Sequence, residues 1–155
     1  MDDILERALS LMNEQLRVRL IEVEVEPASG ELVVLGNAIQ LEQVVINLLT
    51  NARDALADAP VRTIRLASAL TKNDRVKITV SDSGPGIPPG LEQRIFDPFF
   101  TTKEVGMGTG LGLSITYGIV KEHGGSIEVT SGPGEGACFE IELPIAGEVP
   151  QEPLL

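Results

Sequence analysis

The apolar positions of the first 26 residues change period partway along. Ile4, Leu5, Ala8, Leu9, Leu11, Met12 and Leu16 recur at close to helical intervals, so residues 3–16 predict an amphipathic helix. Residues 19–26 then alternate apolar and polar, as do 31–35, with Pro27 to Gly30 between them: strand, turn, strand. Asn37 is placed to cap a long helix reaching to about Ala57. Alternation returns in 63–70 and 75–82, which flank a turn at Lys72-Asn73-Asp74 and predict a hairpin. Residues 83–110 are rich in Gly, Pro and Thr and read as loop with a mobile part, interrupted by a short helix at 91–95. A second long helix spans 111–123 and stops at Gly124-Gly125. Residues 126–131 and 137–143 alternate around Gly132-Pro133-Gly134-Glu135-Gly136, a second hairpin. Pro144, Pro150 and Pro153 punctuate a tail too weakly patterned to pack.

Helices and largely hairpin-linked strands predict an α+β, two-layer sandwich with the helices on one face of a mixed sheet. The expected organisation is one domain over residues 1–146 and a flexible tail over 147–155.

Composition narrows the function. The chain has 155 residues, 43 % hydrophobic and 23 % charged, and a domain of about this length buries roughly 70 % of its unfolded surface. No apolar stretch approaches the roughly 20 residues of a membrane span, and the acidic start lacks a signal-peptide n-region. The reading is a cytosolic domain without direct membrane contact. The single cysteine, Cys138, lies in a strand pattern and is given no redox role. A formal net charge of −11 without a basic run excludes nucleic acid as a partner. An acidic protein that holds a phosphorylated ligand must neutralise it locally, with metal, helix N-termini and a few placed cations.

Three elements suit that chemistry. The helix over 38–57 is apolar nearly all round, and against that background Gln40, Gln43, Asn47, Asn51 and Asp54 form one polar stripe. The stripe is either a solvated edge or a ligand face. The poor helix former Asn, twice and one turn apart, favours the second, and an amide oxygen suits Mg²⁺ that already carries phosphate oxygens and water. In the second element Asp82 follows Val76, Ile78 and Val80 on the inward face of a strand, and Ser83-Gly84-Pro85-Gly86-Ile87-Pro88 comes next. Such a carboxylate either caps the loop or accepts from an exocyclic amine such as that of adenine. The third is Gly106-Met107-Gly108-Thr109-Gly110-Leu111-Gly112-Leu113-Ser114, a glycine-rich loop entering a helix N-terminus, which makes a phosphate cradle. Its spacing matches neither the dinucleotide fingerprint nor the P-loop. Upstream, residues 95–103 hold three of the four phenylalanines and Lys103, the natural phosphate partner; core packing accounts for Phe96 and Phe99.

In order along the chain, Asn47-Leu48-Leu49-Thr50-Asn51-Ala52, Asp82-Ser83-Gly84-Pro85-Gly86-Ile87, Phe96-Asp97-Pro98-Phe99-Phe100 and Gly108-Thr109-Gly110-Leu111-Gly112-Leu113 resemble the N, G1, F and G2 boxes of histidine protein kinases. The resemblance runs over about residues 3 to 144 and is nearest in pattern to nitrogen-regulation-type sensor kinases. It implies the Bergerat ATP-binding fold shared with gyrase, Hsp90 and MutL, closed by a mobile ATP lid. It also implies that Asn51 ligates Mg²⁺, that Asp82 accepts from the adenine amino group, and that Gly84, Gly86 and Ile87 line the base. Gly108, Thr109, Gly110, Leu111, Gly112 and Leu113 would close over the phosphates, and Lys103 would arrive with the lid. Asn47, Asp54, Phe99 and Thr102 complete the implied ATP-binding set.

Asn47 also occupies the position where gyrase-type ATPases and serine kinases of this resemblance carry a Glu base. An amide cannot take a proton from water, so the implied reaction is transfer of the γ-phosphoryl group to a histidine on a separate dimerisation domain, then relay to the receiver domain of a response regulator. The isolated domain is expected to be a monomer. Three positions depart from the family pattern: Asn37 in place of Asp, Asp54 in place of a phosphate-directed Lys, and Ala137 in place of Thr. The only histidine, His123, ends a helix beside two glycines and reads as structural or solvent-exposed, not as the acceptor.

Overall fold

The computed structural model describes residues 1–98, 100, 112–132 and 134–146. Three helices, α1 (Asp2–Val18), α2 (Ala38–Ala55) and α3 (Gly112–Glu122), accompany five strands, β1 (Glu22–Glu26), β2 (Thr63–Leu70), β3 (Arg75–Asp82), β4 (Ser126–Gly132) and β5 (Gly136–Pro144). The strands form one mixed sheet in the order β1-β2-β3-β5-β4. Alternation decides its two faces. Ile64, Leu66, Val76, Ile78, Val80, Phe139, Ile141 and Leu143 are buried on the inner face. On the outer face Lys77 pairs with Glu140 at 3.2 Å and Arg75 with Glu142 at 3.7 Å. The helices cover the inner face: α2 contributes Leu41, Val44, Val45, Leu48, Leu49 and Ala52, and α1 closes over it with Leu5, Ala8, Met12 and Leu16. This is the expected two-layer sandwich.

Both predicted hairpins form, β2 with β3 and β4 with β5, each antiparallel. The N-terminal strand-turn-strand does not. β1 pairs in parallel with β2, Glu22 beside Thr63 through Glu26 beside Ala67, with α2 in the crossover that a parallel pair requires. Residues 31–35 keep a single bridge, Val34 to Ile145, and Ala146 N–H donates to Val33 O at 2.7 Å. Leu32 is buried and its carbonyl accepts from the Met1 ammonium at 2.5 Å, so this backbone is engaged away from β1.

The helix expected over 91–95 is a chain of turns. Arg94 N–H reaches Leu91 O at 2.9 Å and Asp97 N–H reaches Arg94 O at 3.0 Å, and only Ile95 N–H to Leu91 O, at 3.2 Å, spans four residues. Gly90, with φ +86°, and Pro98 bound the segment too closely for a helix to propagate. The tail over 147–155 lies outside the described residues. Among the described residues no helix is long and apolar enough to cross a membrane.

Candidate nucleotide site

The site is built where the C-terminal end of β3 meets α2 and the β4–β5 turn. Alternation carries Asp82 inward after Val76, Ile78 and Val80, beside Ile64 of β2, and leaves it 7 % exposed. Burial raises its carboxyl above the ordinary Asp range, and hydrogen bonds from the Gly84 and Ala137 N–H groups pull it partly back. Gly84 N–H donates to Asp82 Oδ1 at 2.9 Å. No cation among the described residues pairs with Asp82. A carboxylate accepts about four hydrogen bonds, so two N–H donors leave capacity for a ligand's donor.

The glycines after Asp82 permit close backbone approach. A Cβ on Gly84 would lie 2.9 Å from Ala55 O, which brings this loop against the last turn of α2. Gly86 has φ +83° and a Cβ there would meet Gly132 O at 2.7 Å, so the loop also rests on the β4–β5 turn. Ile87 N–H donates to Ser131 Oγ at 2.7 Å, whose hydroxyl donates to Gly136 O at 3.1 Å. Gly136 is the tightest contact: a Cβ would stand 1.9 Å from Asp82 O. Asp82 is thus gripped by its own loop and by the hairpin opposite.

The polar stripe of α2 divides by partner. Asn37 caps the helix, its Oδ1 accepting from Gln40 N–H at 3.1 Å. Asn47 faces α3: Nδ2 donates to Gly112 O and to Thr116 Oγ1, both at 3.2 Å, and Oδ1 accepts from Gln43 Nε2 at 2.7 Å. Asn51, one turn on, is half-buried and its amide makes no hydrogen bond to a described residue. Asp54 takes two hydrogen bonds from Arg53, at 3.0 and 3.1 Å, with Arg19 at 3.8 Å. Asp54 is therefore an acid matched by two arginines. Among the described residues no three His, Cys, Asp or Glu side chains gather as a metal cluster. The Asn51 amide oxygen, with no hydrogen bond to a described residue, would suit a Mg²⁺ held mainly by phosphate and water.

Phe99, Thr102, Lys103, Gly108, Thr109, Gly110 and Leu111 lie outside the described residues. Gly112 and Leu113 open α3, and Phe96 packs as expected, its ring 6.3 Å from Phe139 and 5.7 Å from Tyr117. His123 is structural. Its Nδ1 lies 2.8 Å from Ile119 O and its Nε2 accepts from Asn37 N–H at 3.1 Å, which defines the ring as the Nδ1–H tautomer. Cys138 lies half-buried on the outer face; burial, with Glu140 next, pushes its thiol up, away from the reactive thiolate.

Sequence reasoning passed over Ser131, Gly136 and Thr116 as site components. The signal for Gly136 was its place in a Gly-Pro-Gly-Glu-Gly turn. A lone Thr within a helix carries none, because its hydroxyl is informative only once Asn47 is known to face it.

A family model described as histidine kinase-, DNA gyrase B- and HSP90-like ATPase matches residues 36–147. The two-component sensor PprA of Pseudomonas aeruginosa is 49 % identical over 145 residues, which cover 91 % of this chain and 16 % of PprA. This chain spans only part of the length of such relatives, 12 % of the sensor histidine kinase TmoS of Ectopseudomonas mendocina and 32 % of the sensor histidine kinase ZraS of Klebsiella oxytoca. Among solved structures, the catalytic domain of histidine kinase ThkA is 34 % identical, with a TM-score of 0.79 and 93 % and 91 % of the two chains covered. ThkA in complex with the response regulator protein TrrA gives 32 %, 0.77, 93 % and 40 %. Full-length ShkA in complex with AMPPNP gives 29 %, 0.81, 93 % and 30 %.

Proposed function

Because the chain belongs to the histidine kinase-, DNA gyrase B- and HSP90-like ATPase family, as a histidine-kinase catalytic domain, we propose that it binds Mg²⁺-ATP and phosphorylates a histidine on a separate dimerisation domain. Onward relay to the receiver domain of a response regulator completes the proposed pathway. The observation that carries this reading is Asp82: a carboxylate buried among apolar side chains, held by two backbone N–H groups and matched by no described cation. An adenine amino group supplies the donor that such a carboxylate lacks. ShkA, similar in fold over 93 % of this chain, is known in complex with AMPPNP, which supports a nucleotide here.

Asn51 is the residue we assign to Mg²⁺, whose contribution is to neutralise phosphate charge. The loop glycines from Gly84 to Gly86 bring backbone against the base. Gly108, Thr109, Gly110, Leu111, Gly112 and Leu113 are assigned to the phosphates, with Lys103, Phe99 and Thr102 alongside. Asn47 carries no basic lone pair, and both ends of its amide are engaged by protein groups. Water is therefore not activated from this position, which favours transfer to an external nucleophile over hydrolysis. The complex of ThkA with TrrA supports the regulator as the downstream partner. We place the domain in the cytoplasm, whatever anchors the protein that carries it.

The test combines the domain, a purified His-bearing dimerisation domain and γ-labelled ATP. The expected product carries acid-labile, base-stable phosphate on the dimerisation domain. Rapid phosphate release without that partner indicates an ATPase instead, and tight ATP binding without labelling indicates a nucleotide-sensing module.

A further inference from the structure

The loop after Asp82 and the β4–β5 turn are joined at two points. Gly134 N–H donates to Pro85 O at 3.2 Å, a tie made by backbone alone. The other tie runs through a side chain: Ile87 N–H donates to Ser131 Oγ at 2.7 Å, and the Ser131 hydroxyl donates onward to Gly136 O at 3.1 Å. Gly86 closes against this junction, where a Cβ would stand 2.8 Å from Ser131 Oγ and 3.1 Å from Gly136 O. Gly136 O belongs to the same planar peptide as Ala137 N–H, and that N–H is one of the two backbone donors to the Asp82 carboxylate. One half-buried hydroxyl therefore links the loop from Gly84 to Ile87 with the peptide that holds Asp82.

We propose that Ser131 is a positioning residue for base recognition: by bridging Ile87 N–H and Gly136 O it fixes the Gly136–Ala137 peptide against Asp82, and so sets the direction in which the carboxylate meets an amino group on the base. A hydroxyl carries one proton and accepts through its lone pairs, so it takes the Ile87 N–H and gives to Gly136 O at once. A hydrocarbon side chain does neither. Without the hydroxyl, Ile87 N–H loses this acceptor and the Gly136 carbonyl loses this donor. Because the peptide is rigid, a tilt at its carbonyl is a tilt at Ala137 N–H. The other donor to Asp82, Gly84 N–H at 2.9 Å, sits on the loop that Ser131 also holds, so both supports of the carboxylate pass through one side chain. Hydrogen bonds weaken steeply when misdirected, whereas the contacts of a purine's faces are tolerant of a small tilt.

The inference rests on the proposed nucleotide site, with Asp82 accepting from the adenine amino group, and the experiment separates the two. Calorimetric titration with Mg²⁺-ATP is paired with the Mg²⁺ complex of purine riboside triphosphate, in which a hydrogen replaces that amino group. The parent is expected to bind ATP at least about 10-fold more tightly than the analogue, the worth of one hydrogen bond to a charged group. Ser131→Ala is expected to cut that preference to about threefold or less, with the loss falling on ATP and the analogue held within about twofold. Ser131→Thr keeps the hydroxyl and the preference. Ser131→Val, close in shape to Ser131→Thr but without the hydroxyl, behaves like Ser131→Ala and makes the comparison without a cavity. In the ligand-free chain, the Ala137 amide proton moves upfield by NMR in the Ala and Val variants and stays in place in the Thr variant. Equal weakening of both nucleotides by Ser131→Ala overturns the inference, as general loosening of the fold. An unmoved Ala137 amide, or a preference that survives in Ser131→Ala and Ser131→Val, overturns it while leaving the Asp82 site intact. A parent that shows no preference for ATP overturns amine recognition by Asp82, and the role of Ser131 falls with it.

Discussion

Asp82 is the fourth inward-facing side chain of β3 after Val76, Ile78 and Val80, and burial raises its carboxyl despite the N–H groups of Gly84 and Ala137. The folded state therefore keeps this proton to higher pH than the unfolded chain does. The associated stability is fully present below the ordinary Asp pKa of about 4 and is lost as pH rises through the raised value. Asp82→Asn removes that dependence, so the variant's melting temperature should gain on the parent's as pH goes from about 4 to about 7. Parallel melting curves at all pH values count against a buried charge. The same variant should weaken ATP binding by roughly 1.5–3 kcal/mol, about 10- to 150-fold in Kd by calorimetry. Asp82 was legible in the sequence because strand alternation has period two and a carboxylate breaks the apolar set. The placement of Asn51 on α2 one turn from Asn47 was legible from the helical spacing. The hydrogen-bond directions of Asn47 were not, because they depend on α3, 65 residues away in the chain.

Elements show which signals survive tertiary context. The long helix, both hairpins and the helix before Gly124 follow from periodicity and turn chemistry, each local. β1 misled because a parallel pair has no turn to announce it, and 31–35 misled because alternation alone does not say that a partner edge is free. Within the β4–β5 turn, Gly134 and Gly136 both have positive φ, +74° and +77°, yet a Cβ meets nothing within 4 Å at the first and Asp82 O at 1.9 Å at the second. Gly134→Ala should cost about 1 kcal/mol and Gly136→Ala at least 2–3 kcal/mol in denaturant melts, the excess reporting the contact with Asp82. Equal costs would mean that the turn yields without disturbing Asp82. At the other end of α3, His123→Ala removes the acceptor for Asn37 N–H and the donor to Ile119 O. A loss of about 1–2 kcal/mol in chemical denaturation is expected, with labelling of the partner domain retained. Abolished labelling in a folded variant would reopen His123 as a chemical participant.

At the scale of the whole molecule, the formal charge of −11 opposes an anionic ligand while the site attracts it locally. Raising monovalent salt from about 10 to about 150 mM shortens the Debye length from roughly 30 to 8 Å, which screens the global repulsion before the contacts within the site. The association rate of ATP in stopped flow should therefore rise with salt, the reverse of a basic nucleotide-binding surface. A falling rate would show that a local positive field dominates at long range.

The crossed connection of β1 gives the fold an order of assembly. β2–β3 and β4–β5 are closed by short turns and need little loop-closure entropy, whereas β1 reaches its place beside β2 only across the intervening 36 residues from Pro27 to Arg62, α2 among them. Contacts that distant in sequence slow a chain's search for its native state. The contact of Asp82 with Gly136 spans more chain still, from Ser83 to Glu135, so the surroundings of Asp82 are complete only once the two hairpins meet.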